Sequence, residues 1–325
     1  MPKRFPVKKS GHDGPGAPLS GAAAVGAANA AADASSRARV IAAHGHMLHV
    51  RLEHGGDAVA RAMGRKLQVV CGDYVRCEFD ARHDEMRIVG LEPRSGVLYR
   101  SNAHGSGELI AANLSLLLVV VAPLPVPDFY IVDRYLAAAQ CAGIRACVLL
   151  NKCELGIDAI TEAELGNYAA LGFEPLRVSA QTASGLHELH TLLHGQSAAL
   201  VGQSGVGKSS LLRALVPDSD AAIGTLLRDH GGRHTTSASW LYALPQGGAI
   251  IDSPGVRDFA PAIDRLHDAD LGFTEIAALS AHCRFGDCRH LREPDCAVRA
   301  AEGGALSARR YESYRRLRRL WERLR

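Results

Sequence analysis

Long apolar runs are missing from this chain. It has no stretch of about 18 consecutive apolar residues, so no helix is expected to cross a membrane. The N-terminus is basic at Lys3, Arg4, Lys8 and Lys9 but has no apolar core behind those charges, which argues against a secretory signal. A disulfide framework is also lacking. Of eight cysteines, Cys71, Cys77, Cys141, Cys147 and Cys153 are scattered through apolar stretches and read as reduced, small hydrophobes. The other three lie close together near the C-terminus. That usage fits a cytoplasmic protein with no membrane partner. Residues 11–36 lack any aromatic side chain and hold fifteen Ala or Gly in 26 positions. They cannot bury enough surface to offset chain entropy, so residues 1–36 are expected to form a disordered leader.

Strong net charge is absent too: the balance is +3 over 325 residues. The exception is local, with eight arginines between Arg309 and Arg325 against only Glu312 and Glu322. A basic tail on a near-neutral body suggests a polyanionic partner, nucleic acid before membrane. Tyr311, Tyr314, Leu317, Leu320, Trp321 and Leu324 recur at helical spacing. One face of this basic C-terminal helix is therefore expected to pack on the protein, with the arginines outward.

The length allows two or three domains. Leu48, Val50 and Leu52 alternate with polar neighbours, as do Val75, Cys77 and Phe79, and Gly55-Gly56 and Gly72-Asp73 supply turns. About five short strands over residues 37–98 read as an oligonucleotide-binding (OB) type β-barrel. Residues 99–262 change character. Leu114–Val121 is apolar but for Ser115, as a strand covered on both faces requires. Further strands are expected at 146–150, 176–179, 198–201 and 249–252, with helices near 130–142, 160–171, 184–193 and 208–215. That alternation predicts a mostly parallel, doubly wound α/β sheet.

Four loops in this region carry chemistry. Gly202-Gln203-Ser204-Gly205-Val206-Gly207-Lys208-Ser209, followed by Ser210, has phosphate-loop spacing between a strand and a helix. Its glycines let backbone N–H groups converge on phosphate oxygens, Lys208 reaches the outer phosphates and Ser209 ligates Mg²⁺. Asp252-Ser253-Pro254-Gly255 ends an apolar strand, which suits an aspartate holding Mg²⁺ and a glycine sensing the γ-phosphate. Asn151-Lys152-Cys153-Glu154 is similar to the Asn-Lys-x-Asp loop that reads guanine, with Glu154 one methylene longer than the usual Asp. Ser179-Ala180 is similar to the accompanying base-contacting loop; a helix-capping serine is the alternative. The base loop stands before the phosphate loop, and the magnesium loop follows. That order is permuted relative to most GTPases, yet each loop still leaves the carboxyl edge of a parallel strand, where ligands bind. A phosphate-transferring kinase would need an acceptor lid, which the sequence does not offer.

Cys283, Cys288, His290 and Cys296 place three thiols and one imidazole within fourteen residues. Such a set closes a tetrahedral zinc site, structural because no position remains for water; His282 is the alternative imidazole. Charged neighbours leave little apolar core, so the metal is expected to supply the folding energy of this segment.

The permuted order, Gly232-Arg233-His234-Thr235-Thr236 and the cysteine–histidine cluster together resemble the ribosome-small-subunit-dependent GTPase A family over roughly residues 38–315. The resemblance implies a circularly permuted P-loop GTPase domain, an N-terminal OB-type barrel and a zinc-binding helical domain at residues 263–325. It implies GTP hydrolysis with Mg²⁺, stimulated by the small ribosomal subunit during its late maturation, and binding of that subunit's rRNA by a monomer. The residue after Gly255 is Val256, which cannot position water as a glutamine does. The family makes His234 the catalytic substitute, and Thr236, with Thr235 as the alternative, the residue that closes over the γ-phosphate and contacts Mg²⁺. Arg228 and Arg233 are open candidates for charge stabilisation.

Overall fold

The computed structural model describes residues 35–44, 47–63, 67–102, 106–217, 239–252, 260–267 and 269–324. Apart from Ser35 and Ser36, the leader expected at 1–36 lies outside them. Strands β1 (Ser36–His44), β2 (Met47–Leu52), β3 (Asp57–Ala62), β4 (Tyr74–Asp80) and β5 (Glu85–Leu91) run in the order 1-2-3-5-4. A further pairing of β1 with β4 closes them into a five-stranded barrel of OB type. Its core is Val40, Leu48, Val50, Val75, Cys77 and Ile88, the inward half of the period-two pattern.

Strand β8 (Leu116–Val121) is buried along its whole length, between parallel neighbours β9 (Arg145–Leu150) and β11 (Ser197–Gly202). Its alternate residues feed two cores. Leu117, Val119 and Val121 pack with Val132, Tyr135, Leu136 and Tyr168, from helices α1 (Phe129–Cys141) and α2 (Ala159–Ala170). Leu116, Leu118 and Val120 pack with Leu189, Leu193, Leu211 and Leu215, from α3 (Leu186–Leu193) and α4 (Lys208–Leu215). Period two along a strand thus covers both faces with helices, which is why the run is apolar throughout. Short β10 (Leu176–Arg177) and β13 (Ala249–Asp252) extend the parallel order to 10-9-8-11-13. The strand expected at 176–179 stops early because the Ser179 N–H turns to the Ser184 carbonyl at 2.9 Å.

Two strand pairings add to the expected plan. Strand β12 (Ser239–Ala243) is antiparallel to β13 and pairs through Ala42–Trp240 with β1. Barrel and α/β region therefore share one 11-stranded sheet. Buried His49 lies 6.1 Å from the Trp240 ring at that joint, and Arg39 Nη2 donates to Ser197 Oγ at 2.7 Å. A separate hairpin, β6 (Leu98–Ser101) with β7 (Gly107–Ala111), hydrogen-bonds to the chain at Ala260 and Ala262.

The C-terminal region consists of α5 (Thr274–Ser280), α6 (Ala297–Ala300) and α7 (Ala308–Arg323) around Phe273, Ile276, Val298, Tyr311, Tyr314, Leu317 and Trp321. Two sequence expectations need correction here. This apolar core is larger than the charged local sequence suggested, because α7 brings its aromatic face to it. Nor do all the arginines of α7 face outward. Arg310 and Arg318 are each 1% exposed and Arg309 is half-buried. The cause is distant in sequence: carboxylates on α1, α2 and α5 draw Arg309 and Arg310 inward, and Arg318 donates to the Ala269 carbonyl at 2.8 Å. Arg316, Arg319 and Arg323 remain exposed, as does Leu324.

Among the described residues, no helix is long and apolar enough to cross a membrane. All eight cysteines are free. Cys71, Cys77 and Cys147 are buried and Cys141 and Cys153 partly so. Burial pushes the Cys71 thiol up to about 12 and those of Cys77, Cys141 and Cys147 to about 11, which keeps them protonated and inert.

Candidate nucleotide site and metal centre

The carboxyl ends of β8, β9, β10, β11 and β13 converge on one edge of the sheet. Strand β11 ends at Gly202, where φ is +139° and a Cβ would collide with the Val120 carbonyl. Only glycine lets the chain leave the sheet there. Gly207, at φ +95°, opens α4. A Cβ on it would strike the Asn151 side-chain amide. The loop thus ends at a helix N-terminus, where backbone N–H groups and the helix dipole favour anions. Lys208 is largely buried, and its Nζ donates to the carbonyls of Gly202 and Gln203 at 2.7 and 2.8 Å. Ser204, Gly205 and Ser210 are exposed, whereas Val206 packs under the loop in the core beneath it.

The loop at 151–154, distant in sequence, is stitched to this one. Asn151 is 1% exposed. Its Nδ2 donates to the Val206 carbonyl at 2.9 Å, and its Oδ1 accepts from the Ala180 N–H at 3.2 Å. One side chain therefore holds the phosphate loop and the Ser179-Ala180 loop together. Lys152 Nζ adds bonds to the carbonyls of Gly205 and Leu124, both at 2.7 Å. Ser179 is buried and its Oγ accepts from the Thr182 N–H at 3.0 Å, so it shapes the turn as well as lining it. Cys153 and Glu154 form a single 3₁₀ turn, pinned by the Cys153 N–H on the Val178 carbonyl at 3.2 Å. Glu154 is exposed. Asp252, partly buried, ends β13 one residue beyond the Ala199–Ile251 pairing with β11. Gly255, His234 and Thr236 lie outside the described residues, as do Arg228, Arg233, Thr235 and Val256.

A wall of the site went unnoticed in the sequence. Loop 122–128 supplies the Leu124 carbonyl to Lys152, brings Pro125 alongside Gly205, and donates the Asp128 N–H to Gln203 Oε1 at 3.3 Å. Its signal was present: Pro123, Pro125 and Pro127 directly follow a buried strand. A rigid turn there has to leave the same sheet edge as the other loops.

Cys283, Cys288, His290 and Cys296 also come together, their ligand atoms all within 4.8 Å of one another. Cys283 Sγ lies 3.5 Å from His290 Nδ1 and 3.8 Å from Cys296 Sγ, and His290 Nδ1 lies 3.4 Å from Cys296 Sγ. A tetrahedral zinc centre with Zn–S of about 2.3 Å and Zn–N of about 2.0 Å has edges of roughly 3.5–3.8 Å, so the donor set fits one metal ion. Glu293 braces the loop between two ligands, accepting from the N–H groups of Arg289, Leu291 and Arg292 at 2.9–3.0 Å. Burial opposes its ionisation, but those donors outweigh burial and hold the carboxyl at about 2. Tyr311 and Tyr314 of α7 donate to the carbonyls of His290 and Arg289 at 2.6 and 3.2 Å, seating the cluster on that helix.

Residues 91–261 match the model of the RsgA GTPase family. The small ribosomal subunit biogenesis GTPase RsgA of Azotobacter vinelandii is 44% identical over 239 residues, 71% of this chain and 68% of that protein. The chain belongs to the RsgA GTPase family. The protein of the same description from Chromohalobacter salexigens is 42% identical over 255 residues, 77% of this chain and 74% of the relative. Among solved structures, YjeQ from Thermotoga maritima superposes with a TM-score of 0.69 at 25% identity, covering 89% of this chain and 99% of that one. YloQ, described as a circularly permuted GTPase, superposes at 0.68 over 91% and 98%, and its 24% identity speaks for the fold alone. As a member of the RsgA GTPase family the chain is a GTP hydrolase of circularly permuted fold, and the GTPase chemistry of the family calls for Mg²⁺.

Glu154 is where this RsgA-family chain departs from the base-reading pattern. If this carboxylate is the one that meets guanine, a glutamate must order one more torsion than an aspartate to do so, at a cost of a few tenths of a kcal/mol or more. Glu154→Asp is expected to tighten GTP binding ~2- to 5-fold. Fluorescence titration with a labelled GTP checks this, and unchanged affinity would place the carboxylate away from the base.

Proposed function

We propose that this protein binds GTP in the cleft between Asn151–Glu154, Ser179-Ala180 and Gly202–Ser210, and hydrolyses it in the service of late maturation of the small (30S) ribosomal subunit. The Asn151 side chain, bonded at once to Val206 and Ala180, is the observation that carries this proposal. It brings together segments that the sequence order separates, which supports their serving one site. In this reading Glu154 accepts from the guanine N1–H and amino group, Lys208 and the loop amides hold the phosphates, and Ser209, Thr236 and Asp252 serve Mg²⁺, with Gly255 sensing the γ-phosphate. Zinc is the metal of the Cys283–Cys296 cluster. The working boundaries are 37–98 for the barrel, 99–262 for the GTPase region and 263–325 for the metal-bearing region.

The subunit is engaged through rRNA phosphates, to which the barrel and the outward arginines Arg316, Arg319 and Arg323 are suited. Such binding weakens steeply with salt. Hydrolysis to GDP and phosphate then releases a monomeric, cytoplasmic protein from the subunit. With Val256 after Gly255, water positioning falls to His234. Unassisted turnover is then slow, on the order of 10⁻⁴–10⁻³ s⁻¹ as for unstimulated Ras-like enzymes. Phosphate release measured with and without purified small subunits tests the proposal: stimulation of at least ~10-fold supports it, and equal rates contradict it. His234→Ala is expected to leave GTP affinity nearly unchanged while cutting the stimulated rate ~100-fold or more, as loss of a general base does. A wild-type rate in that variant would remove the histidine from the mechanism.

A further inference from the structure

Helix α1 touches both functional regions of the molecule. At its N-terminus the capping residue Asp128 accepts from the N–H groups of Tyr130 and Ile131 at 3.0 and 3.4 Å, and its own N–H meets Gln203 of the phosphate loop. Just ahead of it, the Leu124 carbonyl receives Lys152 of the base loop. Five residues past the cap, about 7.5 Å along the helix axis, Asp133 is fully buried. Its Oδ1 accepts from Arg310 Nη1 and Tyr168 Oη, and its Oδ2 from Arg309 Nη1, all at 2.7 Å. The same two arginines reach other elements. Arg309 pairs with Glu164 on α2 at 2.7 Å and Arg310 with Glu275 on α5 at 2.6 Å. The residue after Arg310 is Tyr311, which holds the metal cluster through the His290 carbonyl.

A buried carboxylate facing two guanidiniums is costly to desolvate and is held to a narrow geometry once formed. An apolar pair would fill the same space with less directional demand. What the ionic version adds is a fixed orientation between α1 and α7. A helix is stiff over one and a half turns, so α7 follows the part of α1 that frames the nucleotide loops.

We propose that Asp133 is a positioning residue that couples the nucleotide loops to the metal-bearing C-terminal helix. A nucleotide that orders loop 122–128 and the phosphate loop orders α7 as well. By reciprocity, a partner seated on α7 alters nucleotide affinity by the same factor. The inference rests on the proposal that Gly202–Ser210 binds nucleotide.

Hydrogen exchange on the full-length, metal-loaded protein, with and without a non-hydrolysable GTP analogue, reads the coupling directly. In the wild type the analogue should slow exchange of the α7 amides about fivefold or more, the low end of typical coupling. In Arg309→Met, which cuts one arm of the network at its half-exposed edge, that ratio should fall toward one while the phosphate-loop amides are still protected. Arg309→Lys, which keeps the charge, should restore part of it. Asp133→Asn is the stronger cut where it folds. A purely structural role predicts something else: faster α7 exchange in Arg309→Met at baseline, with the response to nucleotide intact, and that result overturns the inference. So does a wild type whose protection stops at the loops. If the wild type fails to bind the analogue at all, the nucleotide site itself is wrong and the coupling falls with it.

Discussion

Lys208→Ala is expected to abolish GTP binding at micromolar protein concentrations. Lys208 is 7% exposed, with its ammonium held by the Gly202 and Gln203 carbonyls inside the loop's own curve. In the proposed binding mode, that position lets one cation serve both the loop backbone and the outer phosphates. Removing one partner of a buried, hydrogen-bonded charge pair costs about 2–5 kcal/mol, ~30-fold in affinity at the least. The substitution also leaves two carbonyls without their donor, so the loop loses shape as well as charge. Fold is not at stake: the sheet and α4 core of Leu211, Leu212 and Leu215 is untouched. Equilibrium titration with labelled GTP and GDP should show both nucleotides lost, with the thermal midpoint little changed. Wild-type affinity in this variant would withdraw the phosphate-loop assignment.

Removal of the metal is expected to melt the segment from Cys283 to Cys296 and to loosen α7 without unfolding the sheet. Structural zinc contributes an apparent ~10–16 kcal/mol to small domains at neutral pH, far more than a fourteen-residue loop can gather from packing. Without the ion, three thiols and an imidazole crowd within 4.8 Å of one another with nothing to bridge them. Arg284, Asp287, Arg292 and Asp295 around them are exposed and offer no core. The apolar cluster of Phe273, Ile276, Leu317 and Trp321 should survive, since it is built from α5 and α7. Hydrogen exchange after strong chelation should therefore show full loss of protection at 283–296, partial loss around Tyr311 and Tyr314, and none in β8 to β11. Because the ligands must be deprotonated, the metal should also be released as pH falls. An unchanged exchange pattern after verified metal removal would mean that packing alone holds the loop.

The parts of this protein that were legible in its sequence are those set by local rules. Strand β8 announced itself because a strand covered on both faces has no polar positions to spare. The tight turn from β11 into α4 was legible because Gly202 and Gly207 occupy places where a Cβ collides with neighbouring atoms. The cysteine cluster was legible because metal ligands must be close in space and here are close in sequence. What the sequence hid depends on pairing at a distance. Strand β12 becomes a strand only beside β1 and β13, and no local pattern shows that it bridges barrel and sheet. Arg309, Arg310 and Arg318 read as solvent charges because Asp133 and the Ala269 carbonyl, which take them inside, lie 40 or more positions away. Loop 122–128 was hidden for a third reason: its functional groups are backbone carbonyls and an N–H, which no residue type advertises.

In the proposed function, segments in permuted order build one guanine-selective site. Equilibrium competition of ATP and GTP against a labelled GTP analogue tests it most directly, using wild-type protein with Mg²⁺ present. A site that reads guanine through the Glu154 carboxylate, on loops held by Asn151, leaves that carboxylate unpaired against adenine, so ATP should compete at least ~100-fold more weakly than GTP. ATP binding as tight as GTP would contradict the account, whatever the fold.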